Sequence, residues 1–132
     1  PENFTVDFEI APNAENVILN CDAGLLSRAI NNLVQNSINH NPQGCHIMLT
    51  LECDVKTAIL TVSDNGIGLP SEKLKDLNEK THYMDSTDDR LNLRHGLGLV
   101  LVRQITEVHS GTIMLESQTG HGFKTVLKIP MQ

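Results

Sequence analysis

The segment Asp64-Asn65-Gly66-Ile67-Gly68-Leu69-Pro70 directly follows residues 57–63, whose apolar and β-branched side chains are typical of a strand. It places a carboxylate at the end of that strand, followed by two glycines and a proline. Glycine removes the Cβ barrier to positive φ and lets a ligand lie against the backbone. The pattern also suits an ordinary strand-to-turn connection, because Asp-Asn-Gly is a common turn sequence. A second glycine pair, Gly96 and Gly98, precedes a helical pattern and favours the ligand-binding interpretation.

The composition indicates one globular domain with an aliphatic core. The chain has 132 residues, 39% of them hydrophobic, which is enough to bury a core in a single domain. With no Trp, one Tyr and three Phe, we expect Leu, Ile and Val to build that core. The chain begins directly before a strand pattern, so we expect residues 1–132 to be a domain of a longer protein.

The net charge and the cysteines limit the partners and the compartment. A formal charge of −6 without a basic block argues against nucleic acid or an anionic membrane as the partner, whereas helix N-termini and glycine loops still bind small phosphate ligands. Three cysteines without CxxC spacing predict small buried side chains in a reducing compartment. No apolar run approaches ~18 residues and no signal peptide is visible, so we expect a cytoplasmic domain.

Hydrophobic periodicity predicts strands and helices in a mixed order. The alternation over 4–10 predicts a half-buried strand, and Asp22 is a good N-cap for a helix over 23–40. Residues 81–95 have no period and much charge, which is typical of a functional lid or a disordered segment. We interpret them, with the short helix before them, as a lid over about 71–95. The remaining predicted strands are 17–21, 46–52, 57–63, 112–117 and 123–129, and the remaining helices are 71–80 and 100–109.

Three asparagines, Asn32, Asn36 and Asn39, lie on the border of the apolar stripe of the helix over 23–40. Asparagine is a mediocre helix former because its side chain competes for backbone hydrogen bonds, so three on one edge need a reason. They are either solvated surface amides, or their amides face a metal–phosphate ligand that lies alongside the helix.

Together these parts suit a purine nucleotide. Asp64 can accept a hydrogen bond from an exocyclic amino group, which favours adenine over a keto purine. The amides of residues 96–99 and the dipole of the following helix can hold phosphates. The Asn36 oxygen suits Mg²⁺, which keeps several waters and takes few protein ligands. The sequence contains neither a Gly-x4-Gly-Lys-Ser/Thr P-loop nor a Gly-x-Gly-x-x-Gly fingerprint.

Three segments in this order resemble the motifs of a known family. Residues 33–42 (LVQNSINHNP) resemble its N box, residues 64–70 its first glycine box and residues 96–102 (GLGLVLV) its second. Residues 120–122 and the final strand resemble its closing hairpin. The family is the ATP-binding catalytic domain of sensor histidine kinases, in the wider group with DNA gyrase, Hsp90 and MutL, and the resemblance covers essentially the whole chain.

The resemblance implies a fold and a set of ligand contacts. The fold is a two-layer α/β sandwich of the Bergerat type, with a mixed sheet of about five strands backed by three helices and an ATP lid. Asn36 would bind Mg²⁺ and phosphate, and Asp64 would recognise the adenine. The implied ATP-binding residues are Asn32, Asn36, Asn39, His40, Asp64, Gly66, Ile67, Gly68, Leu69, Arg94, His95, Gly96, Leu97, Gly98, Leu99 and Thr125.

The residue four positions before Asn36 distinguishes kinases from hydrolases within this resemblance. Gyrase, Hsp90 and MutL resemble one another in having a glutamate at that position, where it acts as the general base that accepts a proton from the attacking water. This chain has Asn32, whose amide cannot take a proton near neutral pH. The sequence therefore favours a kinase over an ATPase.

Some positions depart from the family pattern. The N box lacks the usual cation at Asn39, and Arg94 stands where the second glycine box often begins with a further glycine. Arg94 is either a solvated lid charge or a guanidinium that reaches the β- or γ-phosphate in place of that cation. The lid segment also lacks the family's usual pair of phenylalanines.

The resemblance implies transfer of the γ-phosphoryl group to a histidine outside this chain. None of the six histidines lies in the His-Glu-x-x-x-Pro-like context of a phosphoacceptor. We expect the acceptor on a helical dimerisation domain of a homodimeric parent, which could itself be membrane-anchored, with a response regulator as the next recipient. The alternatives are a stand-alone serine kinase of the anti-sigma type, and a nucleotide-binding scaffold without transfer activity.

Overall fold

The computed structural model describes residues 3–15, 18–83 and 97–131. Within these ranges five strands form one sheet: β1 (Phe4–Ile10), β2 (Cys45–Asp54), β3 (Thr57–Asp64), β4 (Thr112–Ser117) and β5 (Phe123–Pro130). Three α-helices accompany it in the described residues: α1 (Ala23–His40), α2 (Ser71–Tyr83) and α3 (Leu97–Val108). The strand order is β1-β2-β3-β5-β4, with β1 parallel to β2 and every other pair antiparallel. The expected mixed five-stranded α/β architecture is confirmed.

Local signals account for α1. Asp22 caps its N-terminus, since the carboxylate accepts a hydrogen bond from the Leu25 backbone N–H at 3.0 Å. At the other end Asn41 leaves helical geometry directly before a proline, which disfavours the α conformation in the preceding residue. The predicted bounds of this helix are confirmed.

The core is aliphatic, as the composition predicts. It lies between one face of the sheet and helices α1 and α3, and its central members include Leu33 of α1, Val62 of β3 and Ile105 of α3. Leu74 and Leu77 of α2 pack against its edge. The buried cluster comprises Ala29, Leu33, Ile47, Leu49, Val62, Leu99, Val102, Ile105, Ile113, Leu115 and Leu127.

Helices α1 and α3 run roughly antiparallel. The side chain of His109, directly after α3, accepts a hydrogen bond from the Asp22 backbone N–H at 2.9 Å, so the C-terminus of α3 lies at the N-terminus of α1. The 12 residues of α3 span about 18 Å. This length brings the N-terminus of α3 to about the level of Asn36 on α1.

Four expectations need correction. Residues 18–20 form no strand because they pair with none of the five strands, and Ile18 is 88% exposed. Strand β1 forms but is not half-buried: as the outermost strand it extends beyond the helices, so Val6, Phe8 and Ile10 remain exposed. Residues 81–83, expected in the irregular lid, continue α2, and the three free cysteines are partly exposed rather than buried.

Helix α3 also begins at residue 97 rather than 100, so the second half of the second glycine box is its first turn. Residues 84–96 of the predicted lid lie outside the described residues. No helix in the part of the chain that the structure describes is long and apolar enough to cross a membrane.

Candidate nucleotide-binding site

Asp64 ends β3 and is 8% exposed, with its carboxylate held by three protein donors. Oδ1 accepts hydrogen bonds from the backbone N–H groups of Gly66 at 2.9 Å and Phe123 at 3.2 Å. Oδ2 accepts one from the hydroxyl of Ser37 on α1 at 2.8 Å. Each carboxylate oxygen offers about two acceptor positions, so Oδ1 is saturated and Oδ2 retains one. The protein therefore orients this carboxylate and leaves one acceptor for a ligand donor.

The carboxylate also acts on a neighbouring thiol. Burial, and then the negative charge of Asp64, raise the pKa of Cys45 above its usual value, while a hydrogen bond with Asn41 lowers it. The Cys45 Sγ lies 3.9 Å from the Ser37 carbonyl oxygen. This thiol is consequently protonated at neutral pH.

The glycine loop 65–70 is held between α1 and the β4–β5 turn. Ser117 accepts a hydrogen bond from the Leu69 backbone N–H at 2.8 Å and donates one to the Gly122 carbonyl at 2.7 Å. The Gly120 N–H donates to the Ile67 carbonyl at 2.7 Å. These hydrogen bonds therefore hold the loop against the β4–β5 turn.

Gly68 is glycine for two reasons that the structure makes explicit. Its φ is +67°, a left-handed conformation that a side chain disfavours. A Cβ there would also lie 2.1 Å from the Gln118 carbonyl oxygen. Protein atoms thus fill the space beside this glycine, and the expectation that the loop glycines admit a ligand ring stays a prediction.

Helix α1 presents the predicted amides on one edge. Asn32, Asn36 and His40 follow one another at i, i+4 and i+8, which places them in one row beside the buried stripe. The amides of Asn32 and Asn36 are half-buried and make no hydrogen bond within residues 3–15, 18–83 and 97–131. Asn39 differs, because it is exposed and its Oδ1 accepts a hydrogen bond from Gln35 at 3.0 Å. This contact agrees with a solvated surface amide at Asn39.

The other predicted residues surround the glycine loop. His40 Nε2 lies 3.3 Å from the Gly68 carbonyl oxygen. Ile67 is 59% exposed, whereas Leu69 is buried. Thr125 on β5 is 2% exposed and pairs with Val62, two residues before Asp64, so the pleat places Thr125 on the same face of the sheet as that carboxylate.

The second glycine box is partly described. Residues 97–99 form the first turn of α3, and Leu99 belongs to the core. The backbone N–H groups of a helix's first turn have no partners inside the helix and attract anions. Arg94, His95 and Gly96 lie outside the described residues, so the two interpretations of Arg94 stay open.

Sequence reasoning missed three side chains that shape the loop, namely Ser37, Asn41 and Ser117. The sequence pattern marks Asn41 only as the end of α1, and Ser37 only as a member of its apolar stripe. A polar residue within an apolar stripe is the available signal, because a buried hydroxyl requires a hydrogen-bond partner. No comparable signal marks Ser117.

Comparison with known proteins agrees with this architecture. Residues 21–132 match the family model described as histidine kinase-, DNA gyrase B- and HSP90-like ATPase. The chain is 31% identical over 134 residues to the sensor histidine kinase TmoS of Ectopseudomonas mendocina, covering 98% of this chain and 13% of that protein. It is 36% identical over 107 residues to the sensor protein BasS of Salmonella typhimurium, covering 81% of this chain and 29% of that protein.

Solved structures give the same result. The nucleotide-free catalytic domain of histidine kinase ThkA superposes with a TM-score of 0.75 at 25% identity, covering 98% of this chain and 79% of that one. A mycobacterial sensor histidine kinase, MprB, shares the fold with a TM-score of 0.73 at 20% identity, covering 99% of this chain and 84% of that one. The chain belongs to the family of histidine kinase-, DNA gyrase B- and HSP90-like ATPases, as a catalytic domain of the sensor histidine kinase type.

Proposed function

We propose that this domain binds Mg²⁺–ATP and donates the γ-phosphoryl group to a histidine on a separate helical domain of a sensor kinase. The observation that carries this proposal is the buried Asp64 carboxylate, with three acceptor positions occupied by the protein and one left over. That position suits the exocyclic amino group of adenine, which donates a hydrogen bond. The carbonyl of a keto purine, an acceptor, would be repelled there.

The phosphates would lie between α1 and the N-terminus of α3. The antiparallel packing of these helices brings the first turn of α3 to about the level of Asn36. The partial positive charge of a helix N-terminus stabilises phosphate oxygens. A nucleotide with its base at Asp64 would thus extend along the α1 edge towards α3.

The donor chemistry of this edge fits a magnesium ion. Mg²⁺ accepts one or two protein oxygen ligands and completes its shell with waters and phosphate oxygens. The Asn36 amide oxygen is half-buried and has no protein hydrogen bond in the described residues, so it would be the ligand. When bound, the ion would neutralise part of the phosphate charge.

The position of Asn32 favours transfer over hydrolysis. Asn32 lies one turn before Asn36 on the same edge, where a carboxylate would reach a water beside the phosphates. An amide does not accept that water's proton near neutral pH. The domain's contribution to transfer would be positioning and charge stabilisation, which supply most of the catalysis of phosphoryl transfer.

The lengths and names of the relatives support the proposed partners. The chain spans 13% and 29% of the sensor proteins TmoS and BasS, so those relatives carry further regions. We propose that the parent of this chain is a homodimeric sensor kinase in which a helical domain carries the phosphoacceptor histidine and passes the group to a response regulator. The domain itself would act in the cytoplasm, without membrane or nucleic-acid contact.

Calorimetry of the 132-residue chain with Mg²⁺–ATP tests the binding step. We expect a Kd between micromolar and sub-millimolar, about −8 to −5 kcal/mol. If Asn36 and the phosphates together hold Mg²⁺, excess EDTA in the same titration should weaken the binding of ATP. Absence of ATP binding by the folded chain would reject the kinase proposal in favour of a scaffold.

The transfer step is tested with γ-labelled ATP and a helical phosphoacceptor domain from the parent protein. Phosphohistidine is labile to acid and stable to base, whereas phosphoserine behaves in the opposite way. Acid-labile label on the acceptor supports a histidine kinase. Acid-stable label on a serine would support the anti-sigma type of kinase.

A further inference from the structure

Gly66 is glycine because of its surroundings and not because of its backbone. Its φ lies outside the left-handed region that favours glycine. A Cβ added there would lie 1.9 Å from Oδ1, 2.3 Å from Cγ and 2.6 Å from Nδ2 of Asn41. These distances are far below van der Waals contact, so one side chain occupies the space beside this glycine.

Asn41 cannot move away at little cost. It is 2% exposed, and its amide uses both ends: Oδ1 accepts a hydrogen bond from the Ile67 N–H at 2.9 Å, and Nδ2 donates one to the Ser37 carbonyl at 2.8 Å. Rotation of the amide would leave buried donors and acceptors unsatisfied. The side chain therefore connects the last turn of α1 to the middle of the glycine loop.

This connection joins the two ends of the proposed nucleotide site. Asn36, the proposed magnesium ligand, lies five residues before Asn41 on α1. Asp64, the proposed adenine acceptor, begins the loop that Asn41 holds at Ile67. The spacing between base and phosphate contacts thus depends on how the loop sits against α1.

We infer that Asn41 is a positioning residue that fixes the glycine loop on α1, orients Asp64 towards the base and requires glycine at position 66. The inference rests on the proposed function, since it concerns recognition of adenine at the same site. The three atoms nearest to a Cβ added at position 66 all belong to Asn41, so this side chain accounts for the glycine there.

A double-mutant cycle of thermal stability tests the steric part without any ligand. Gly66→Ala should lower the melting temperature strongly, whereas the same change in an Asn41→Ala background should lower it little, because the shortened side chain lacks the clashing atoms. Gly24→Ala is the matched control: its Cβ would meet only Asp22 Oδ1 at 3.4 Å, and we expect no loss. Equal losses from Gly66→Ala in both backgrounds would overturn the inference.

Calorimetry with ATP and ITP tests the positioning part, because ITP carries a keto group in place of the amino group. Asn41→Ala should weaken ATP binding by about tenfold and narrow the preference for ATP over ITP by about threefold or more. A purely structural role would weaken both nucleotides equally. The control is Asn13→Ala, which removes a side-chain hydrogen bond to the Cys53 carbonyl far from the loop and should leave the preference unchanged.

The two proposals fail in distinguishable ways. If the wild-type chain binds no ATP, the proposed function is rejected, but the double-mutant cycle of thermal stability still measures the coupling between Asn41 and Gly66. If the wild-type chain binds ATP and Asn41→Ala leaves the preference for ATP over ITP unchanged, only the positioning role is rejected. If Asn41→Ala does not fold, Asn41→Ser supplies a smaller side chain that retains a hydrogen-bonding group, and the same outcomes apply.

Discussion

Replacing Asp64 by asparagine should weaken adenine recognition at least about tenfold while leaving the fold largely intact. The two backbone donors, Gly66 N–H and Phe123 N–H, both face Oδ1, so the introduced amide must keep its oxygen there. Its NH₂ group then occupies the position of Oδ2, beside the Ser37 hydroxyl. That hydroxyl can rotate to accept a hydrogen bond, whereas the adenine amino group would meet a second donor.

The magnitude follows from the interaction that is lost. A hydrogen bond to a charged group contributes about 1.5–3 kcal/mol, which corresponds to a loss in affinity of about tenfold to 150-fold. The loss in folding stability should be smaller, because burying a neutral amide costs less than burying a carboxylate and all three protein contacts remain possible. The ATP affinity should therefore fall by more than the stability does.

Calorimetry with Mg²⁺–ATP and urea denaturation measure the two quantities on the same protein. Asp54→Asn is the matched control, since it removes one exposed carboxylate charge in the β2–β3 hairpin, away from the loop. This control separates a local effect from the change in net charge. An Asp64→Asn variant that is folded and binds ATP as tightly as wild type would refute the assignment of the base to this carboxylate.

Three further predictions concern the same region. Gly122→Ala should prevent stable folding, because its Cβ would lie 1.8 Å from the Asp64 carbonyl oxygen. Gly120 has the same φ of +79°, but a Cβ there would have no atom within 4 Å. Gly120→Ala should therefore lower the free energy of unfolding, measured by denaturation, by only about 1–2 kcal/mol. Cys45 has a raised pKa and is protonated at neutral pH. In a variant whose other cysteines are replaced by serine, the alkylation rate of Cys45 should therefore rise only at alkaline pH. Adding Asp64→Asn should shift this rise to lower pH, and an unshifted pH profile would contradict the effect of the Asp64 charge on the thiol pKa. Asn32→Glu should raise ATP hydrolysis in a phosphate-release assay, and a folded, ATP-binding variant without any gain would show that a missing carboxylate is not what limits hydrolysis.

The elements that depend on local signals could be predicted from the sequence. The bounds of α1 follow from the cap at Asp22, the apolar stripe and the proline after Asn41. The segment around Ile18 shows the limit of this approach: its apolar residues suit a strand, but a strand also needs a partner, and residues 18–20 pair with none of the five strands. The parallel β1–β2 pairing joins residues about 41 positions apart, which no local pattern specifies.

The candidate site shows the same contrast between features with a local sequence signal and features that depend on contacts between distant residues. The position of Asp64 at the end of β3 was predictable because a carboxylate and glycines adjoin a strand in sequence, whereas Asn41 contacts a loop residue that lies 26 positions further along the chain. The family motif gave a reason for glycine at position 66 in terms of a ligand. The structure supplies a different one, because the neighbouring Asn41 amide already fills the space where a Cβ would go.

This difference changes how substitutions in the loop should be interpreted. If glycine is required to make room for a ligand, a substitution can be tested only by measuring ligand binding. If glycine is required to make room for Asn41, the substitution also changes the stability of the protein without a ligand. Loss of ATP binding in a Gly66 variant therefore does not by itself locate the base, since the loop would first be displaced from α1. Asp64→Asn is the cleaner probe of the base, because it alters hydrogen-bond donors and acceptors without adding a heavy atom to a filled space.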